Sequence, residues 1–361
     1  MVTNKIGLSR DFIIHPGETL KEMIEERNMN QNELAIRCGV SEKHISTVLN
    51  GQKNISVDFA RKLEYALGID SIFWINLQTN YDKELLEFQE INQITKEELD
   101  IFYSLKDIIK EYIRYGFVEK GLCVTDELIQ IRKVLNISNL TNIYKFSHLG
   151  VFRIQSTNSV NQYALFAWEK LCDLIDNNNS ISNDEFNIDK LIYLIPEIKK
   201  IMFSEEQDIV KKLQDIFSNC GISFYIVKHF NGVPVQGYIK KNNRNGLSMY
   251  ITNRRKYADI FWFTVFHEIA HIINGDVKKY IIDFDNHDIE NNTNKLAQDL
   301  LLKEEKYNAF IKENNFTINS IINFAKNESI QPYIVIGRLM KDNYIKYSDY
   351  SNYRQLYNFD I

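Results

Sequence analysis

Phe261-Trp262-Phe263-Thr264-Val265-Phe266-His267-Glu268-Ile269-Ala270-His271 is the stretch on which the reading of this chain turns. Nearly every other position in it is apolar, so a helix here would be buried all round rather than on one face. Two histidines stand four residues apart, with a glutamate beside the first. On a helix, residues i and i+4 project from the same face one turn apart, so both imidazoles reach one ion and the glutamate reaches a water bound to it. Unpaired polar groups are costly to bury. A shared divalent metal removes that cost; a pair of satisfied core histidines is the plainer competitor.

A catalytic zinc takes three protein ligands and leaves one position open. Glu290 begins a second helical stretch, Glu290-Asn291-Asn292-Thr293-Asn294-Lys295-Leu296-Ala297, and is the third-ligand candidate beside His267 and His271 for one Zn2+ per chain. Asp285, His287 and Asp288 compete with it. Asn294, one turn on, is expected to hydrogen-bond a ligand histidine from behind. Glu268 is the catalytic candidate: it would take a proton from the attacking water and pass it to a leaving amine, the ion polarising the scissile carbonyl. The apolar run 247–251 is expected to offer a strand edge to an extended peptide. Tyr238, His287 and Arg254 are the candidates for stabilising the oxyanion.

Outward from this motif, the β-rich runs 224–227, 237–239 and 247–251 suggest a small antiparallel sheet. Helical patterns follow at 259–274, 291–308, 317–327 and 332–342. Together they outline a C-terminal α+β domain at 220–347. Residues 95–215 read as a helical connecting region with no visible chemistry, interrupted by a polar loop at 177–184.

The N-terminal part has a different grammar. Asn30 precedes a short helix as N-cap, with Glu33 at the reach-back position. Gly39 makes a tight turn, and Ser41 caps a second helix, 42–49, closed by Asn50-Gly51. Leu34, Ala35, Val40, Ile45, Val48 and Leu49 would form the inside of a helix-turn-helix, followed by a longer helix at 71–92. Gln31, Ser41, Lys43, His44, Ser46 and Thr47 are then the candidates for touching double-stranded operator DNA. Arg37, Lys43, Lys53, Arg61 and Lys62 outnumber Glu42 and Asp58 locally, although the chain carries a formal net charge of −5. DNA attraction must therefore come from a local patch.

The whole is mainly α and multi-domain: 361 residues suit two or three domains. Four cysteines without a CxxC pair fit a reducing compartment. No leader or membrane-length apolar run is read, so the expectation is a cytoplasmic protein with no membrane association.

Two family resemblances add to this. The segment 261–271 followed by Glu290-x-x-Thr293-Asn294-x-Leu296-Ala297, with Gly337-Arg338-Leu339 later, resembles the ImmA/IrrE metallo-endopeptidases. That resemblance implies a zincin-like (gluzincin) domain with His267, His271 and Glu290 as zinc ligands and Glu268 as general base. Thr293 replaces the usual alanine, Leu296 a phenylalanine, Asn292 a common glutamate and Lys303 a frequent proline; position 292 is thus a rival for the third ligand. His15-Pro16-Gly17-Glu18, Asn30-Gln31-x-Glu33-Leu34-Ala35, Ile45-Ser46-x-Val48-Leu49-Asn50-Gly51 and Phe73-Trp74-x-Asn76-Leu77-Gln78 resemble the Cro/C1-type (XRE) fold in its HigA-like antitoxin branch. It implies a five-helix domain at 11–86, homodimerisation through it, operator binding and a cognate toxin partner. The combination points to a transcriptional regulator fused to a zinc endopeptidase that cleaves a repressor or other partner protein. An antitoxin or transcription factor whose peptidase-like domain is a non-catalytic sensor or scaffold stays open as the alternative.

Overall fold

The computed structural model describes residues 12–148, 152–153, 160–179, 185–277, 282–283 and 287–359. The chain is mainly helical and divides into two compact units, residues 1–99 with 121–127, and residues 100–120 with 128–361. None of the described helices is long and apolar enough to cross a membrane.

In the first unit, α1 (Pro16–Glu26), α2 (Gln31–Cys38), α3 (Glu42–Leu49), α4 (Val57–Leu67) and α5 (Ser71–Asn92) follow one another through short turns. Each start has a local cause: the side chains of Asn30, Ser41, Ser56 and Asp70 accept hydrogen bonds from the exposed N–H groups of the helices they precede. Glu33 does not close the expected capping box; its carboxylate turns to Arg37 at 2.6 Å. Gly39 ends α2 at φ 62°, a left-handed conformation that glycine adopts without strain. Leu34, Ala35, Ile45, Val48, Leu49, Phe59 and Trp74 share one core. Gly17 lets α1 approach α3 closely, for a Cβ there would lie 2.0 Å from the Val48 carbonyl oxygen. The first-unit motifs His15-Pro16-Gly17 and Gln78 are architectural: His15 Nδ1 accepts from the Gly17 N–H, and buried Gln78 accepts from the Ile55 N–H.

From α6 (Lys96–Ser104) onward the remaining helices are α7 (Lys106–Arg114), α8 (Val124–Val134), α9 (Ile143–His148), α10 (Gln162–Asn178), α11 (Ile188–Lys200) and α12 (Glu206–Ser218). The strands of the second unit form two separate sheets. A two-residue parallel pair, β1 (Phe152–Arg153) with β5 (Ile282–Asp283), is separate from a three-stranded sheet of β2 (Ile222–Val227), β3 (Gly237–Lys241) and β4 (Leu247–Thr252). The three-stranded sheet is mixed, not antiparallel as expected. Its order is β2-β4-β3, with β4 parallel to β2 and antiparallel to β3. The expectation failed because it placed sequential strands side by side. Every residue of β4 is buried, as suits a central strand, whereas β3 carries Lys240 and Lys241 and suits an edge.

Against the sheet pack α13 (Ala258–Asn274), α14 (His287–Leu301), α15 (Glu304–Lys312), α16 (Ile318–Asn327) and α17 (Pro332–Lys341). The single helix expected at 291–308 is two. Asp299 draws in Lys303 at 2.6 Å and caps the Glu304 N–H at 3.0 Å, which starts a new helix there. Leu191, Ile198, Ile209, Leu213 and Phe217, from the stretch read as a connector, belong to the same core as Phe224, Trp262, Phe266 and Leu339. All four cysteines are free.

Candidate functional site

Helix α13 is buried along most of its length; its paired histidines meet Glu290 of α14, and Glu268, 5% exposed, lies under Gly237 of β3. His267 Nε2 and His271 Nε2 are 3.0 Å apart. Glu290, from the first turn of α14, brings Oε2 to 3.3 Å of His267 Nε2 and Oε1 to 3.4 Å of His271 Nε2. Among the described residues these three form the one cluster whose ligand atoms all lie within 4.8 Å of one another. Asn292 is exposed. Asp285 lies outside the described residues, as do the side chains of His287 and Asp288.

The spacing is informative. Tetrahedral coordination at ordinary Zn–N and Zn–O lengths puts neighbouring ligand atoms roughly 3.3 Å apart. The two histidine nitrogens, 3.0 Å apart, and the separate contacts of the two Glu290 oxygens, at 3.3 and 3.4 Å, are close to that spacing. These residues fit a tetrahedral ion, and the group would be held by His267, His271 and Glu290.

The same side chains perturb one another's protonation in the metal-free protein. Burial alone would lower the pKa of His271, but its hydrogen bonds to Glu290 and Asp276 and the charge of Glu268 outweigh this and carry it to about 9. Hydrogen bonds from His267 and His271 pull Glu290 down to about 2 against its own burial. Glu268 is raised by burial and by the charge of Glu290, with the two histidines opposing.

Two residues take a supporting role that the sequence did not assign to them. Gly275 ends α13 in the left-handed region at φ 76°, and the reversed chain brings Asp276 Oδ2 to 3.2 Å of His271 Nδ1. Thr293, wholly buried on α14, places its hydroxyl 3.4 Å from both His271 Nδ1 and Asp276 Oδ2, and accepts from Asn274 Nδ2. Asp276 and Thr293, rather than Asn294, therefore stand behind His271. The sequence signal was a glycine four residues after His271 followed directly by an aspartate.

The second unexpected contact is Gly237. A Cβ at this position would fall 2.2 Å from Glu268 Oε1, so the first residue of β3 must be glycine for the strand to lie over the glutamate. β3, not the run 247–251, is the edge strand beside Glu268: β4 is paired on both sides. Tyr238 is no candidate for the oxyanion. It points to the opposite face of the sheet, where its hydroxyl donates to Glu169 and its ring stacks on Tyr250. Arg254 donates to the Pro234 carbonyl.

In the first unit, Gln31, Ser41 and Lys43 are exposed while Ser46 and Thr47 are half-buried. The Ser41 hydroxyl caps the His44 N–H, Ser46 accepts from Asn50, and Thr47 donates to the His44 carbonyl. His44 is turned inward, its ring 4.8 Å from that of Phe59 and its Nδ1 3.2 Å from Lys53 Nζ. Burial, with Lys53 and Lys62 nearby, lowers its pKa and keeps it neutral. Exposed Lys53, counted in the sequence only as part of the local basic surplus, lies next to the start of α3 through this contact.

Residues 20–74 match the helix-turn-helix family model. Over 75 residues the chain is 35% identical to virulence-associated protein I of Dichelobacter nodosus, spanning 20% of this chain and 69% of that protein. The chain belongs to the helix-turn-helix family. A second protein of the same organism, virulence-associated protein A', is 35% identical over 69 residues, 19% of this chain and 60% of that one. Among solved structures, antitoxin GraA is 32% identical and is covered over 95% of its length by 23% of this chain, with a TM-score of 0.21. An addiction module antidote protein of the HigA family from Coxiella burnetii is 28% identical, covering 28% of this chain and 91% of its own, with a TM-score of 0.19. The helix-turn-helix family places a DNA-binding unit at the N-terminal end.

Proposed function

We propose that this chain is a DNA-binding regulator whose second unit is a zinc-dependent endopeptidase acting on a partner protein, a repressor or another regulator. The observation that carries the peptidase half is the convergence of His267 Nε2, His271 Nε2 and the Glu290 carboxylate at 3.0–3.4 Å beside buried Glu268. A bound zinc ion supplies Lewis acidity to a carbonyl and to a water. The protein's own residues do the rest. Asp276 holds His271 in one ring orientation. Glu268, its basicity raised by burial, takes the proton from the attacking water and delivers it to the departing amine. β3, the edge strand beside Glu268, aligns an extended peptide by backbone pairing.

In the first unit, α3 enters the major groove with Lys43 at its exposed face, and Gln31 at the start of α2 reaches the DNA backbone. A homodimer of this unit would match a palindromic operator, and a cognate toxin is the further partner that the HigA-like resemblance suggests.

The test is metal content, by elemental mass spectrometry, of the purified full chain after zinc is supplied. About one zinc per chain is expected in the wild type and in Glu268→Gln, and none in His267→Ala. Cleavage of the partner should survive in neither variant. Absence of zinc from the wild type would refute the peptidase reading and leave the DNA-binding one intact.

A further inference from the structure

A cavity of about 320 Å³ opens on the second unit beside the first turns of α13, bounded by α17 and the end of α14. Its size is that of a small-molecule or side-chain site. Phe263, Leu301 and Ile334 line it with apolar surface. The ring of Phe263 lies 6.0 Å from that of His267, one turn further along the same helix face. Gln236, at the rim, immediately precedes the glycine that lies over Glu268.

The charge of the lining is one-sided. Arg255, Arg338, Lys341 and Arg354 face Asp259 alone. Arg354 and Asp259 neutralise each other through two hydrogen bonds of 2.9 and 3.1 Å, an arrangement that requires glycine at 337, where a Cβ would sit 2.5 Å from the carboxylate. Arg255 and Lys341 then remain, with Arg338 paired only at long range. The Arg338 guanidinium carbon lies 3.9 Å from the centroid of the Tyr307 ring and its Nη1 donates to the Leu302 carbonyl, while its buried Nε has no hydrogen-bond partner. Its nearest carboxylate, Asp342, is 3.9 Å away, and the same oxygen already accepts from Tyr307. Exposed Lys341 lies 4.8 Å over the Phe263 ring, and among the described residues neither it nor Arg255 forms an ion pair. Like charges gathered at an apolar hollow repel unless an anion joins them, and a guanidinium presents a fork that fits a carboxylate.

We propose that this cavity binds a carboxylate carried on an apolar stem. That chemistry has two sources, the acidic side chain of an extended peptide entering the metal centre or a free small-molecule acid. Assigning the ligand to a substrate rests on the peptidase reading; binding itself does not.

Calorimetric titration of the full chain with 3-phenylpropionate and with 3-phenylpropanamide tests it. The acid should bind at least about tenfold more tightly than the neutral amide, and Lys341→Met, Arg255→Gln and Arg338→Met should each remove most of that preference. The first two substitutions are at exposed positions, so the test survives if Arg338→Met fails to fold. His267→Ala should bind the acid as the wild type does, whether or not the wild type holds zinc. Equal affinity for acid and amide would overturn the proposal. So would loss of acid binding in His267→Ala with no effect of Lys341→Met, which would place the acid on the metal centre. Displacement of 3-phenylpropionate by a capped Glu-containing pentapeptide, but not by its Gln twin, would identify the peptide as the source. Displacement by neither would identify the free acid.

Discussion

Gly237→Ala is the perturbation that reaches the candidate site through a single contact. The three atoms nearest to a Cβ added there all belong to Glu268: Oε1 at 2.2 Å, Cδ at 2.7 Å and Cγ at 2.8 Å. No carbon tolerates such distances, and Glu268 is 5% exposed, so its side chain has little space into which to retreat. Overpacking of this kind costs about 1–3 kcal/mol. In a unit of this size that lowers the thermal midpoint by roughly 2–4 °C for each kcal/mol. The decisive assay is a double-mutant cycle followed by thermal or urea unfolding. In a Glu268→Ala background all three clashing atoms are gone, so Gly237→Ala should there be close to neutral, giving a coupling energy of about 1–3 kcal/mol. None of the three proposed ligands touches this contact, and the Gly237→Ala protein should still take up zinc while losing cleavage. If Gly237→Ala is equally destabilising with and without the Glu268 carboxylate, or harmless in both, then β3 does not lie over Glu268 and the reasoning fails.

Three further outcomes are expected. Asp276→Ala and Thr293→Val should each weaken zinc binding about 10–100-fold in competition with a chromophoric chelator, with Asn294→Ala near wild type; the reverse ranking would restore Asn294 as the supporting residue. Stability of the metal-free protein should be greatest between about pH 4.5 and 6.5. The His271 pKa, raised from 6.5 to about 9, contributes stability that is complete below 6.5 and lost as pH rises through 9. Glu290, lowered from 4.5 to about 2, contributes stability lost as pH falls through that range. The two shifts describe one interaction and count once, and solvent screening at Glu290, 36% exposed, holds the total below about 3 kcal/mol. Denaturant unfolding in chelator that is flat from pH 5 to 9 would contradict it. On a duplex selected from a random library, Lys43→Ala should weaken binding and reduce the salt slope by about one. His44→Ala should instead lower the melting temperature of the first unit, since its ring packs on Phe59.

What could be read in advance was what depends on neighbours in sequence. The helices 42–49 and 71–92 were legible because caps and glycines punctuate them: Ser41, Asp70 and Gly68 act within one turn of where they stand. The paired histidines were legible because helical periodicity alone sets them on one face. Glu290 needed more, the docking of α14 on α13, and only its position after the motif pointed to it. Sheet order was out of reach. β4 joins β2 by burying both faces, and no local signal in 247–252 distinguishes that from a hairpin with β3 alone.

Thr293 shows the limit most sharply. Against the resembling family it is a departure, a hydroxyl where a methyl is usual, and from sequence it looks like a tolerated change of size. Buried on α14, that hydroxyl would be an uncompensated polar group unless something met it. What meets it is Asn274, Asp276 and the free ring nitrogen of His271. Asp276 is acidic, so the ring nitrogen facing it carries a proton, and a His271 that gave up its second proton to an incoming ion would leave Nε2, the atom facing Glu290 and His267, with a lone pair. That is the tautomer a metal requires. A buried threonine that completes this arrangement is consistent with a site kept competent for metal, and it predicts that Thr293→Ala, the family's own residue, is tolerated better than Thr293→Val. Alanine leaves room for a water to bridge Asn274 and Asp276, whereas valine fills the space with a second methyl and strands both.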